Sequence, residues 1–310
     1  MGIFFAFNWG DDIVNAVSVH PNPKEKLNFI QLALRNFVHA ETGSIDQLWY
    51  IFFIPCIILF VFMILNVFML KDSPEKAGFK YFDTMDASSG IMQEKLSTLQ
   101  IYKRILTNPV ILIIIGIEFC SGVIRNGIMQ WYFIFAKENE AVVGAAAAWF
   151  HEHWGILLCF AGIFGGFIAG AISDKLFGSR RGPSAAMMYF LMAVCVGIMI
   201  YTLFKNQLLL GIIVVLISMF VIGVHGLLSG AASMDFGGRR SAATAVGVID
   251  GFVYLGTAFQ SFGIGYVVTK NWNNWPTFLL PATILGFILA CMIWRAMPNA
   301  KMKKDHTVDP

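Results

Sequence analysis

The 310-residue chain is 57% hydrophobic and 13% charged, with a mean hydropathy of +0.68, where an ordinary soluble domain carries roughly 25% charged residues; a water-soluble fold is excluded. The formal net charge of +3 comes without a dense basic stripe, which excludes nucleic acid as a partner. The apolar residues gather in runs of about 20, the length at which a helix crosses a hydrocarbon core, so the expected fold class is an all-α membrane protein with the lipid bilayer as its solvent.

In chain order, residues 1–10 are apolar and aromatic. They are too short to span, and they lack the basic region, apolar core and cleavage site of a signal peptide. They read either as an interfacial stub or as the end of a transmembrane helix. Residues 11–48 hold HPNPKEK and HAETGS and form an external loop. Spans are predicted at 49–70, 109–135, 149–173, 185–204, 208–233, 242–268 and 277–294. The loop 72–108, with DSPEKAG and DASSG, ends in a basic, partly helical stretch at 96–106 and divides the first span from the six-span bundle of 109–297. A polar tail, 298–310, closes the chain.

Lysines and arginines alternate between the two sides of these spans, 15 on one and 6 on the other, with Arg125 the one inside a span. The richer side is cytoplasmic, which puts residues 11–48 outside and the C-terminal tail in the cytoplasm. Trp49, Trp131, Trp149, Trp272 and Trp275 fall at outer span ends, as an aromatic belt would. Small residues recur every fourth position at Gly162, Gly166 and Gly170 and at Ala243, Gly247 and Gly251. Such stripes let helices approach closely. The five cysteines lie in apolar runs without zinc or redox spacing.

Arg125 carries the chemistry. A guanidinium keeps its proton and costs about 3 kcal/mol at a helix centre. Its planar fork offers paired donors to a phosphate. It either faces the bundle interior as an anion ligand or snorkels to the outer headgroups. Glu118 precedes it by two helical turns on the same face, about 10 Å away by rise. Asp250 lies in the sixth span and His225 in the fifth. Each is a candidate charge partner, proton carrier or structural polar contact. Tyr254, one turn beyond Asp250, could donate to a phosphate or pack. His151, Glu152 and His153 are adjacent, and consecutive helical side chains diverge, so they read as an interfacial cluster and not a metal site. No phosphate loop, zinc-protease motif or nucleophile with its base is visible; neither a cofactor nor an enzymatic activity is expected.

GAISDKLFGSRR (170–181) resembles the G-x-x-x-D-[RK]-x-G-[RK]-[RK] loop of the major facilitator superfamily, with one residue more before Gly178 and one more between Gly178 and Arg180. DSPEKAGF (72–79), IRNGIMQW (124–131) and GGRRSAATAVGVIDGFVYLG (237–256) narrow the resemblance to the organophosphate:phosphate antiporters, the glycerol-3-phosphate and hexose-phosphate transporters. The resemblance implies helices six to twelve of a twelve-helix fold, with 1–10 the end of helix five, 49–71 helix six, and the N-terminal half a missing partner. It implies substrate binding at Arg125, Tyr254 and Trp131 and a gating latch made of Gly170, Asp174, Lys175, Gly178, Arg180 and Arg181. It also implies a small phosphate-containing solute as ligand and a bacterial inner membrane as location. Glu118, His225 and Asp250 match no position of that family's pattern. Two other readings stand beside it: a proton-coupled carrier of another solute, and a membrane sensor of organophosphates.

Overall fold

The computed structural model describes residues 29–37, 49–71, 76–79, 98–237 and 242–296. The expectations for 1–10, for most of both polar loops, for Arg239 and Arg240, and for the tail lie outside the described residues. The chain divides into two units, one over residues 1–83 and one over 84–310.

The first unit holds α1 (Phe29–Phe37) and α2 (Trp49–Met69). The 21 residues of α2 include no charge, and from Cys56 to Met69 its side chains are exposed all round and, Asn66 apart, apolar. A helix with no polar face suits lipid, and its length of about 31 Å matches a hydrocarbon core.

The second unit opens with α3 (Thr98–Thr107), on the stretch expected to be partly helical. Asn108 then caps α4 (Pro109–Glu138), its side-chain oxygen accepting from the Val110 amide at 3.0 Å, with Pro109 at the first helical position. Proline loses nothing there because that amide would have no helical partner. After α4 come α5 (Glu140–Glu152), α6 (Trp154–Ala171) with a π-helical turn at Ile172–Leu176, α7 (Arg181–Thr202), and α8 (Gln207–His225). A second π-helical segment, Gly226–Ala232, leads to the short α9 (Ser233–Gly237), α10 (Ala242–Val268) and α11 (Asn274–Met292). All described regular structure is helical, and six helices of this unit are long and apolar enough to cross a membrane.

The span expected at 149–173 is divided: α5 ends at Glu152 and α6 starts at Trp154, with His153 between them. A single apolar run hides this break. The expected 109–135 span runs on to Glu138 and places Arg125 just past the midpoint of a 30-residue helix.

α4 is the hub. Of its most apolar window 67% is buried, against 28% for α6 and for α10, and it packs on α10, α11 and α8. The close backbone contacts do not use the predicted stripes. A Cβ on Gly166, Gly170, Gly247 or Gly251 would meet nothing within 4 Å. One on Gly122 or Gly256 would strike the backbone of the facing helix, α10 or α4 respectively, and one on Gly165 or Gly223 would strike the α6–α8 contact. Period four was read correctly in sequence but its phase was not: one residue is a 100° turn of the helix.

The tryptophans divide likewise. Trp149 is half exposed, but Trp275 is fully buried and donates to the Gly127 carbonyl at 2.7 Å. Trp275 therefore anchors α11 to α4 and is no part of a lipid-facing belt. Trp154 does the same for α6, donating to the Met129 carbonyl at 2.8 Å.

Candidate functional site

Along α4, the residues Glu118, Ser121, Gly122 and Arg125 follow at helical spacing and share a side. Arg125 is half-buried and makes no hydrogen bond or ion pair among the described residues. About 20 Å of helix separate it from Glu138 at the end of α4, too far for its side chain to reach that end. The turn around it is held from several directions. Gly122 lies against the Val253 carbonyl of α10, and Asn126 donates to the Thr257 hydroxyl at 2.6 Å. Trp154 and Trp275 grip the carbonyls of Met129 and Gly127. A backbone fixed on both sides leaves the guanidinium the one free member of a rigid turn.

Glu118 does not pair with Arg125. It is fully buried, and its Oε2 lies 2.8 Å from Nδ1 of His225, a quarter-exposed residue at the end of α8. Its partner is therefore His225, a second of the three candidate groups named from sequence. Asp250 accepts from Ser229 at 2.5 Å and is likewise not a partner of Arg125. Tyr254 follows Val253 on α10 and is 67% exposed, so it is not packed in the core. Trp131 sits six residues, about 120° round the helix, from Arg125; its ring packs edge-on against Trp272 at 6.2 Å. His151 stacks on Phe133 and His153 on Trp149, two rings engaged with different aromatics.

At the end of α6, two of the residues expected in the gating loop, Asp174 and Arg181, meet. Arg181 donates from Nη1 to Asp174 and to the Ser173 hydroxyl, at 3.1 and 3.0 Å. Its Nε donates to Asp235 at 3.1 Å. Gly178 and Ser179 both adopt left-handed backbone, φ 58° and 66°, and the Ser179 amide returns to the Ser173 carbonyl at 2.7 Å. This tight turn absorbs the two residues by which the loop exceeds the family motif and brings Arg181 back beside Asp174. Lys175 is exposed and Arg180 half-buried; neither joins the cluster. Gly170 borders open space. Asp235 was missed from sequence, although a signal existed: D-F-G-G-R-R at 235–240 parallels D-K-L-F-G-S-R-R at 174–181.

The profile of the Major Facilitator Superfamily matches residues 40–261. The chain belongs to this superfamily. It is 27% identical over 261 residues to the glycerol-3-phosphate transporter of Bacillus subtilis, covering 81% of this chain and 57% of that protein. It is 25% identical over 277 residues to a probable hexose phosphate transport protein of Chlamydia trachomatis, covering 82% and 58%. The membrane sensor protein UhpC of Escherichia coli is 24% identical over 208 residues, covering 66% and 44%. The resemblance to the organophosphate branch of the superfamily therefore holds at the level of relatives, and the chain spans less than two thirds of their length.

Proposed function

We propose that this chain supplies one side of the substrate site of a secondary transporter that exchanges organophosphate esters, such as glycerol 3-phosphate, for inorganic phosphate. The observation that carries the reading is Arg125, a half-buried guanidinium in the middle of a 30-residue membrane helix with no protein partner among the described residues. An anion must repay its desolvation, and a fork of N–H donors suits phosphate oxygens. Tyr254, exposed on the neighbouring α10, adds a hydroxyl donor to the same ligand. A second helical half would close the site from the other side. The outward small-residue stripes of α6 and α10, at Gly166 and Gly170 and at Gly247 and Gly251, offer it a smooth surface to rock against. The Arg181–Asp174–Asp235 cluster would then be a latch on the cytoplasmic side.

The test is uptake of labelled glycerol 3-phosphate by membrane vesicles that hold the native product and are loaded with inorganic phosphate. Uptake should need internal phosphate and vanish in Arg125→Gln. Uptake driven by a pH gradient without internal phosphate would select a proton-coupled carrier, and ligand binding without any exchange would select a sensor. The similarity to UhpC gives the sensor reading its support.

A further inference from the structure

The exchange just proposed uses neither Glu118 nor His225, yet they form a carboxyl–imidazole contact whose carboxyl is sealed inside the helix bundle. Glu118 is 0% exposed; its Oε2 meets His225 Nδ1 at 2.8 Å, and its Oε1 is buried without a hydrogen-bond partner. A lone carboxylate sealed from water with one oxygen unsatisfied is heavily disfavoured. A single proton, on the carboxyl or on the imidazole, brings the pair to zero net charge. We propose that Glu118 and His225 together hold one exchangeable proton, and that its presence is linked to anion occupancy at Arg125. The linkage, though not the proton site itself, rests on the reading of Arg125 given above.

The geometry supports both halves of this statement. His225 is a quarter exposed while Glu118 is sealed, so the imidazole is the route by which a proton reaches the carboxylate. Glu118 and Arg125 share one face of α4, about 10 Å apart by rise. With the proton absent, the pair carries a full negative charge that balances Arg125 and repels an arriving anion. With the proton bound, the pair is neutral and Arg125 stands unopposed. Anion and proton therefore favour each other's binding, and the coupling is reciprocal.

The other titratable groups nearby leave this role to the pair. On α4 they are Cys120 and Arg125. From α7 comes Tyr189, fully buried, its hydroxyl donating to the Ile117 carbonyl at 2.7 Å. From α10 comes Asp250, bonded to Ser229. The helices α6 and α11 bring only Cys159 and Cys291, and α8 brings only His225. None of these is hydrogen-bonded to Glu118 or His225 apart from their mutual contact. His225 also opens the π-helical segment whose Ser229 holds Asp250, so the same short segment ties α8 to α4 at one end and to α10 at the other.

Two measurements on the whole chain in lipid bilayers test the proposal. Infrared difference spectra taken over a wide pH series should show carboxyl and imidazole bands that change together, and both Glu118→Gln and His225→Asn should abolish that joint change. Glu118→Gln retains the volume and an acceptor oxygen facing His225, and unchanged helical content by circular dichroism would show that it folds. Bands that stay constant in the wild type would overturn the proton site. Binding of inorganic phosphate is then measured against pH, with sulfate as an oxyanion that does not titrate near neutrality. Affinity should rise as pH falls, by up to about tenfold per unit for one linked proton, and Glu118→Gln should flatten the dependence for sulfate and leave phosphate only the part that its own ionisation causes. Equal pH dependence in wild type and Glu118→Gln would overturn the linkage. Failure of both anions to bind at any pH would overturn the linkage together with the Arg125 reading, and the infrared result would then stand or fall on its own.

Discussion

Arg181 and Asp235 are joined at 3.1 Å although 54 residues separate them, and both side chains are only 15% exposed. Asp174 holds the same guanidinium from the other side but is 58% exposed. The two carboxylates therefore differ in worth. Ion pairs open to water contribute about 0–1 kcal/mol, while removing a buried partner strips the guanidinium of a contact that water cannot replace. Asp174→Asn should change the stability of the purified chain by less than about 1 kcal/mol. Asp235→Asn should cost about 2 kcal/mol or more, read as the shift in a reversible detergent unfolding curve. Equal losses at the two positions would contradict the assignment of Asp235 as the principal partner.

Glycines that face a packed backbone and glycines that face open space should respond in opposite ways to the same substitution. Gly165→Ala places a methyl group against the Met219 carbonyl of α8, and Gly122→Ala places one against Val253 of α10. Forcing packed backbones apart costs about 1–3 kcal/mol. Gly166→Ala, one residue along α6, meets nothing within 4 Å, and should be neutral or stabilise by up to about 1 kcal/mol, since alanine loses less freedom in a helix. Unfolding curves of the three variants decide this, and a destabilised Gly166→Ala would mean that the predicted stripe packs after all.

Two indole hydrogen bonds hold the turn of α4 that follows Arg125. Trp275→Phe and Trp154→Phe keep a large ring but remove the donors to Gly127 and Met129. Each should cost about 1–3 kcal/mol, the penalty for stranding a buried polar group. The same unfolding assay checks it. Trp149→Phe serves as the contrast, because Trp149 is half exposed and should change stability by less than about 0.5 kcal/mol.

How much of this was legible in sequence depended on whether the signal was local. Long apolar runs identify membrane helices by length alone, and Arg125 stands out because a charge in such a run is rare. The resemblance of GAISDKLFGSRR to a family loop found Asp174 and Arg181. Pairings across helices were not legible: Glu118 meets His225 and Arg181 meets Asp235 because α4 packs on α8 and α7 lies beside the segment before α10, which no spacing along the chain reveals. Nor was the phase of a small-residue stripe, where a one-residue difference sends Gly165 into a contact and Gly166 outward. The break at His153 did leave a trace, three polar residues in succession inside an apolar run, and hydrophobicity averaged over a window erased it.

Arg125→Lys separates the shape of the charge from its sign. Lysine keeps the positive charge on the same face of α4, so long-range attraction for an anion is retained, but the planar pair of donors is replaced by one ammonium. If Arg125 grips two phosphate oxygens, the variant loses a charged hydrogen bond of about 1.5–3 kcal/mol. That corresponds to phosphate binding weaker by about ten- to a hundredfold, measured by titration calorimetry on the chain in lipid nanodiscs. Neighbouring contacts argue that the loss is local: Asn126 stays bonded to Thr257 and Trp275 to Gly127, so the backbone that presents residue 125 does not depend on it. Unchanged phosphate affinity in Arg125→Lys, together with loss in Arg125→Gln, would leave Arg125 a source of positive potential and move the directional contacts to Tyr254 or to the opposing half.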